Sequence, residues 1–181
     1  MAAMTDVALI EIDRTVAQAI AMGHAAFEQH YGVSLGENLD RIRDVVQQTL
    51  TWLTATPREP PWGAYLTVDE VERWAVGTCA FKTAPRDDGS IEIAYFTFPS
   101  FEGQGFATAM AQKLIAMALA SPAVRSVIAH TVPQQNASTR VLEKAGMHCV
   151  GEVDDPEDGR VWRWCSDAQV QSTSGEGSGH E

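Results

Sequence analysis

The chain has 181 residues, of which 45% are hydrophobic and 20% are charged. This composition is ordinary for one globular domain and excludes collagen-like, coiled-coil and wholly disordered chains. The 24 acidic and 13 basic residues give a net charge of −11. A charge of that sign repels phosphate backbones and anionic lipid, so we expect neither nucleic acid nor a membrane as partner.

The first third of the chain is predicted to be mostly helical. Val7–Ile12 fits a short strand, and one or two helical segments follow around Gly23. Apolar residues then recur every three or four positions, which predicts a helix over residues 38–54 that ends before Pro57.

The apolar period changes to two after residue 62. Three segments rich in aromatic and β-branched residues predict an antiparallel meander. They are Gly63–Val68, Trp74–Lys82 and Ile91–Phe98.

The remaining pattern alternates between helix and strand. An uninterrupted apolar stripe predicts an amphipathic helix over residues 105–120. The elements after it are a strand over Arg125–Val132, a short helix over Ala137–Ala145 that Gly146 stops, and a hairpin of His148–Val153 and Arg160–Cys165. The acidic hairpin turn DDPEDG is expected to be a solvated tip.

The carboxyl end has a different composition. Residues 166–181 contain one large apolar residue, Val170, so we expect a disordered acidic tail after a folded domain over residues 1–165.

The start lacks a basic signal region, and the longest strongly apolar stretch has eleven residues, too few to span a bilayer, so we expect a cytoplasmic protein. The three cysteines lack CxxC spacing, which favours reduced thiols over a disulfide frame or a metal site.

The most informative segment is FTFPSFEGQGFA, where the third meander strand ends and the helix over residues 105–120 begins. A helix start offers unpaired N–H groups and a positive dipole end, and glycines let a phosphate approach closely. Alone, such a loop is also compatible with a simple tight turn. A dinucleotide fold is disfavoured, because the GxGxxG spacing and its later acidic residue are missing.

Two longer motifs give the chain a family resemblance. IEIAYFTFPSFEGQGFATAM, followed by VIAHTVPQQNASTRVLEKAGM, resembles the GNAT superfamily of acetyl-CoA-dependent N-acetyltransferases, and most closely its Rim-like branch of ribosomal-protein acetyltransferases. The resemblance covers about residues 62–165. It implies a mixed α/β domain with a central, mostly antiparallel twisted sheet flanked by helices, and it implies acetyl-CoA as co-substrate with no metal.

The resemblance also implies which residues hold acetyl-CoA. Backbone groups of Phe96, Thr97 and Phe98 would hold the pantetheine arm. The N–H groups of the loop would hold the pyrophosphate; they belong to Gly103, Gln104, Gly105, Phe106 and Ala107. The loop departs from the family pattern at its first position, where Glu102 replaces an Arg or Gln and either turns away or weakens binding of the anion.

The residues expected to take part in the reaction lie before and after this loop in the sequence. Glu92 corresponds to a position that often acts as base, and His130 is an alternative base; each is otherwise a structural strand residue. Leu142 stands where many relatives have a tyrosine acid, so the Rim-like serine, here Ser138, is the candidate acid or else a helix-capping residue. Asn136 either donates to pantetheine or caps the same helix.

The expected function is transfer of an acetyl group from acetyl-CoA to a primary amine that attacks directly. The acceptor is a small molecule or a protein N-terminus, and the acidic hairpin turn would steer a cationic acceptor toward the site. The sequence leaves open whether two copies of the chain form a homodimer. The alternatives are a non-catalytic acyl-CoA-binding or regulatory module of the same fold, and an interaction protein whose glycine loop is only a turn.

Overall fold

The computed structural model of the protein describes residues 5–167. It contains five α-helices and seven strands within that range. The helices are α1 (Arg14–Ala21), α2 (His24–Tyr31), α3 (Leu39–Ala55), α4 (Phe106–Leu119) and α5 (Ala137–Lys144). The strands are β1 (Val7–Glu11), β2 (Ala64–Asp69), β3 (Ala75–Phe81), β4 (Ser90–Thr97), β5 (Ser126–Thr131), β6 (His148–Asp155) and β7 (Gly159–Asp167).

All seven strands form one sheet in the order β1-β2-β3-β4-β5-β7-β6. Strands β2, β3 and β4 are the predicted antiparallel meander, and β1 extends it by pairing antiparallel with β2. Strands β5, β7 and β6 pair antiparallel as well. Only β4 and β5 run parallel, because α4 carries the chain across between them. The expected mixed α/β fold with a mostly antiparallel sheet is therefore confirmed.

Each face of the sheet has its own apolar core. On one face α4 and α5 pack against β3, β4 and β5, with Met110, Leu114 and Trp164 almost fully buried. On the other face α1, α2 and α3 cover β2 and β3 through residues such as Ile42 and Val46. Burial of both faces agrees with the apolar stripes read from residues 38–54 and 105–120.

The folded part extends slightly beyond the expected start of the tail. Ser166 and Asp167 belong to β7 and pair with Val127 and Ser126 of β5. The backbone ladder, rather than side-chain composition, orders these two residues. The rest of the predicted tail, residues 168–181, lies outside the described residues. Between residues 5 and 167, no helix is both long enough and apolar enough to cross a bilayer.

Candidate active site

A cleft opens where β4 and β5 separate. The two strands pair only from Ser90 to Glu92 on β4 and from Ser126 to Ile128 on β5. Beyond Glu92, β4 continues to pair with β3 on its other edge as far as Thr97. Backbone groups of β4 that point toward β5 are therefore left without a strand partner along the cleft.

The alternation of backbone direction decides which β4 residues present these groups. The Lys82 N–H donates to the Glu92 carbonyl at 2.8 Å, and the Phe98 N–H donates to the Val76 carbonyl at 2.9 Å, so the even-numbered residues face β3. Successive residues of a strand direct their backbone groups to opposite edges. Tyr95 and Thr97 therefore direct their N–H and C=O groups into the cleft.

This geometry corrects part of the pantetheine expectation. Both backbone groups of Phe98 are used inside the protein, since its carbonyl also accepts from the Phe101 N–H at 2.8 Å. The Phe96 carbonyl lies against Gly77 of β3, where any Cβ would collide with it. Of the three expected residues, only Thr97 directs its backbone groups into the cleft, and Tyr95 directs its own there as well. Sequence spacing could not show which edge of β4 pairs with β3.

The glycine loop has the conformation that its sequence indicates. Gly103 and Gly105 adopt φ of +73° and +90°, a region that L side chains rarely enter. Gly105 caps α4 without any side-chain hydrogen bond, which leaves the first N–H groups of the helix open. The Gln104 amide turns back to donate to the Ser100 carbonyl at 3.2 Å, so Gln104 offers only its backbone to a ligand.

A groove of about 580 Å³ runs from this loop along β4 to α5, and we call it the glycine-loop groove. Thr97 lines it with a buried hydroxyl that has no hydrogen-bond partner within the described residues. A polar ligand in the groove would supply this hydroxyl with a hydrogen-bond partner. Arg140 and Lys144, one turn apart on α5, line the same groove and would favour an anion. Glu102 lines it as an exposed side chain.

Asn136 occupies the helix-capping position that was one of its two expected roles. Its side-chain oxygen accepts from the Thr139 N–H, and the Thr139 hydroxyl accepts from the Asn136 N–H, both at 3.0 Å. This capping box uses the amide oxygen. The amide NH₂ keeps two donors. Donation to pantetheine thus remains a prediction that the cap does not oppose.

A second cavity, of about 250 Å³, lies on the opposite side of the cleft, and we call it the Glu92 cavity. The Glu92 carboxylate is almost fully buried there. It contacts Lys82 Nζ at 2.9 Å and His130 Nδ1 at 3.0 Å through Oε1, and Arg86 Nη2 at 3.4 Å through Oε2. The cross-strand ion pair that was the structural alternative for Glu92 is therefore present, and His130 belongs to the same network.

The charges of this network support one another. Burial by itself raises the pKa of Glu92, but the hydrogen bond and charge of Lys82, helped by His130, outweigh burial and hold the pKa below its ordinary value. Burial lowers the pKa of Lys82, yet the bond and charge of Glu92 outweigh it and raise that pKa. Glu92 is therefore ionised at neutral pH and accepts hydrogen bonds only. Its contact with His130 requires the hydrogen on Nδ1, which leaves Nε2 as the basic nitrogen.

Two hydroxyl groups stand where the groove and the cavity meet. Tyr95 and Ser138 line both spaces, and their oxygens lie 3.4 Å apart. Ser138 was expected near the reacting group from the family resemblance, whereas Tyr95 was not anticipated. Leu142, which stands at the family's tyrosine position, is buried in the core between α5 and the sheet. Strand alternation places Tyr95 on the face opposite to Glu92, so only the separation of β4 from β5 brings its hydroxyl to the cleft.

The acidic hairpin turn reaches the Glu92 cavity at Asp158. Asp155 organises the turn by accepting the N–H groups of Glu157 at 2.8 Å and Asp158 at 2.9 Å. Of the paired tryptophans on β7, Trp164 is in the core and donates to the Thr131 hydroxyl at 3.0 Å, while Trp162 packs against that core. Neither lines the Glu92 cavity.

Comparison with known proteins identifies the family. The family model for an acetyltransferase (GNAT) domain matches residues 10–148. The chain belongs to the GNAT acetyltransferase family. A search of curated protein sequences gave no significant match.

Solved GNAT structures share the fold at low sequence identity. RimL, a ribosomal L7/L12 alpha-N-protein acetyltransferase in complex with coenzyme A, is 17% identical with a TM-score of 0.61 over 92% of this chain and 96% of its own. A chimera of spermidine N-acetyltransferase SpeG from Vibrio cholerae is 14% identical, with a TM-score of 0.59 over 92% and 98%. AAC(6′)-Ib with paromomycin and acetyl-CoA is 18% identical, with a TM-score of 0.63 over 97% and 100%. The resemblance to the Rim-like branch is thus supported at the level of fold.

Proposed function

We propose that this GNAT protein transfers the acetyl group of acetyl-CoA to a primary amine that attacks the thioester directly. The observation that carries the proposal is the meeting of two unlike spaces. A groove with open backbone donors ends at the Tyr95–Ser138 pair, where a cavity with a buried carboxylate and imidazole begins. An acyl donor in the groove and an amine in the cavity would meet at that junction.

The groove suits the parts of acetyl-CoA in order. The open N–H groups at the start of α4 and the positive φ of Gly103 and Gly105 fit a pyrophosphate, and Arg140 and Lys144 add positive charge. The unpaired backbone groups of Tyr95 and Thr97 fit the amides of a pantetheine arm, since each needs hydrogen-bond partners of both kinds. When bound, acetyl-CoA would supply the activated acetyl group at the junction.

Glu92 and His130 are proposed as the proton-accepting pair. A carboxylate that already receives bonds from Lys82, Arg86 and His130 is a weak base, because a useful general base titrates near the operating pH. His130 lines the cavity and keeps Nε2 free of the Glu92 contact, so the proton of the amine would pass to Nε2 with Glu92 holding the ring, or to Glu92 through water. From the family resemblance, Ser138 is proposed to lie beside the leaving group.

The acceptor is proposed to be a small-molecule amine or a protein N-terminus. The solved neighbours are named for amines of both kinds, since they include a spermidine acetyltransferase, a ribosomal-protein acetyltransferase and an enzyme with bound aminoglycosides. Asp158 at the mouth of the Glu92 cavity would attract any of these cations.

Two measurements test the proposal. The first is calorimetric titration of acetyl-CoA, which we expect to bind at one site. The second is release of coenzyme A thiol in the presence of spermidine, ribostamycin, and peptides that begin with serine or alanine. Binding without thiol release for any amine would favour a non-catalytic acyl-CoA module, and absence of binding would favour an interaction protein.

A further inference from the structure

From the geometry of the junction we infer that the Tyr95 hydroxyl is the hydrogen-bond donor to the sulfur of coenzyme A as the thioester breaks, with Ser138 as its positioning partner. This inference rests on the proposed acetyl transfer and gives to Tyr95 the donor role for which the family resemblance offers Ser138. The family's tyrosine position is Leu142, which is enclosed in the core and offers no donor.

The first observation is location. Of the residues lining the glycine-loop groove and the Glu92 cavity, Tyr95 and Ser138 are common to both. The acyl group must cross from one space to the other, so the bond that breaks lies beside these hydroxyls. Tyr95 also directs its backbone groups into the cleft, and its ring packs against the core between α4 and the sheet, which fixes the side chain.

The second observation is the pairing of the two hydroxyls. Their oxygens are 3.4 Å apart, and either can donate. If Ser138 donates to the Tyr95 oxygen, the phenol O–H is free to point at the sulfur, and accepting a bond strengthens its own donation. A serine hydroxyl alone is a weaker donor than a phenol, because its proton is far less acidic.

The chemistry balances without a proton leaving Tyr95. The amine lone pair forms the N–C bond, the C–S electron pair goes to sulfur, and the surplus amine proton passes to the Glu92–His130 pair and then to solvent. The sulfur leaves as a thiolate that Tyr95 stabilises by a hydrogen bond, and it later takes a proton from solvent. Burial raises the pKa of Tyr95, with the Ser138 bond acting in the opposite direction, so the phenol keeps its proton beside a thiolate of lower basicity.

The test compares coenzyme A with desulfo-coenzyme A, which lacks only the sulfur, and needs no knowledge of the acceptor. Titrations are made at about pH 9.5, where a substantial part of the free thiol is ionised. Tyr95→Phe should weaken coenzyme A by about 10-fold or more, the size of a hydrogen bond to a charged group, and leave desulfo-coenzyme A unchanged. Ser138→Ala should weaken coenzyme A less than Tyr95→Phe does.

A matched control removes a hydroxyl elsewhere. Tyr65 donates to the Pro61 carbonyl outside both spaces, so Tyr65→Phe should leave both affinities unchanged. In turnover with any amine found active, Tyr95→Phe should lower kcat by about 10- to 100-fold.

Three results would overturn the inference. They are an equal loss for coenzyme A and desulfo-coenzyme A, an unchanged affinity for both, and a larger loss in Ser138→Ala than in Tyr95→Phe. If instead the unaltered protein binds neither ligand, the proposed function itself fails, and that outcome is distinct from all three.

Discussion

The glycine-loop groove and the Glu92 cavity meet at two hydroxyl groups, yet they are assembled in different ways. The groups of the groove that would bind a ligand belong mainly to consecutive backbone. They lie in the turn containing Gly103 and Gly105 and in the first turn of α4. The cavity gathers single side chains from separate segments, with Lys82 after β3, Glu92 on β4 and His130 on β5. Backbone sites depend on local conformation, whereas side-chain sites depend on the register of the whole sheet.

The same contrast holds for electrostatics. The groove offers fixed N–H dipoles near solvent, where an added charge acts directly on a ligand. In the cavity, both carboxylate oxygens of Glu92 already have partners inside the protein. A change at one residue of the network therefore alters its neighbours first. Substitutions in the two regions should therefore act separately, on ligand binding in the groove and on turnover and stability in the cavity.

The largest expected effect is loss of acetyl-CoA binding in Gly105→Glu. Residue 105 has a φ of +90°, so any side chain there would strain the backbone, and its Cβ would crowd the Thr5 hydroxyl. The glutamate would also place a carboxylate at the helix start, where the phosphates are proposed to bind. Calorimetric titration should detect no binding.

The control for Gly105→Glu is Gly32→Glu. Gly32 also has positive φ and open space around it, but it ends α2 away from the groove. Normal affinity in Gly32→Glu and unchanged affinity in a folded Gly105→Glu variant would together show that the loop is not the site.

In the cavity, Glu92→Gln is expected to lower kcat by about 100-fold with little change in acetyl-CoA affinity, because it disables the proton-accepting Glu92–His130 pair and general bases contribute about 10²–10⁴. His130→Ala should have a similar effect, and the double variant should cost about as much as the worse single one, since the two residues act as a unit. Thiol release at saturating amine measures the rates. A loss below about threefold in Glu92→Gln would make Glu92 purely structural and leave His130→Ala as the informative variant.

The ion network also predicts how stability depends on pH. The pKa of Glu92 is lower in the folded protein than in the unfolded chain, so its stabilisation is present above the unfolded value of about 4.3 and is lost as pH falls through the folded value. At pH 7, Glu92→Gln should lower the free energy of unfolding by about 1–2 kcal/mol, because Lys82 and Arg86 lose their buried partner.

Urea unfolding between pH 7 and pH 3 measures this difference. The difference in unfolding free energy between the two proteins should narrow below about pH 4.3, where the carboxylate of the unfolded wild-type chain gains its proton, and should vanish once the folded carboxylate is protonated as well. Glu11→Gln, at the exposed end of β1, should match wild type throughout. A gap that stays constant down to pH 3 would mean that the charge of Glu92 is not what stabilises the network.

The smallest effect concerns Glu102 in the groove. Its exposed carboxylate would oppose the pyrophosphate by about 1 kcal/mol under near-aqueous screening, so Glu102→Gln should lower the Kd of acetyl-CoA about fivefold. The gain should shrink in 0.5 M salt, because the Debye length falls below 8 Å. Equal affinities of the two proteins in dilute buffer would show that Glu102 points to solvent.

Local sequence predicted most of the fold. The helix expected over residues 105–120 is Phe106–Leu119, and the one expected over residues 38–54 is Leu39–Ala55. Both follow from apolar spacing over several turns, a signal that tertiary contacts reinforce rather than override. The ends of the strands differ from the predicted ends by at most two residues, because a strand ends where its neighbours stop supplying hydrogen bonds.

The site divides between what local sequence encodes and what the sheet decides. Gly103 and Gly105 could be recognised from sequence, since the strand-to-helix turn and its positive φ are properties of adjacent residues. Arg140 and Lys144 carried a usable signal in their one-turn spacing on a predicted helix, although nothing local showed that this face lines the groove.

Only the tertiary structure decided the rest. Whether Phe98 or Tyr95 offers backbone groups depends on which edge of β4 pairs with β3. Whether Tyr95 meets Ser138 depends on where β4 and β5 stop pairing. The sequence by itself determined the elements and the glycine turn, because those arise from contacts within a few residues. The acid–base groups came together only through pairing between strands that are distant in the chain, where one residue of register changes the face of every side chain.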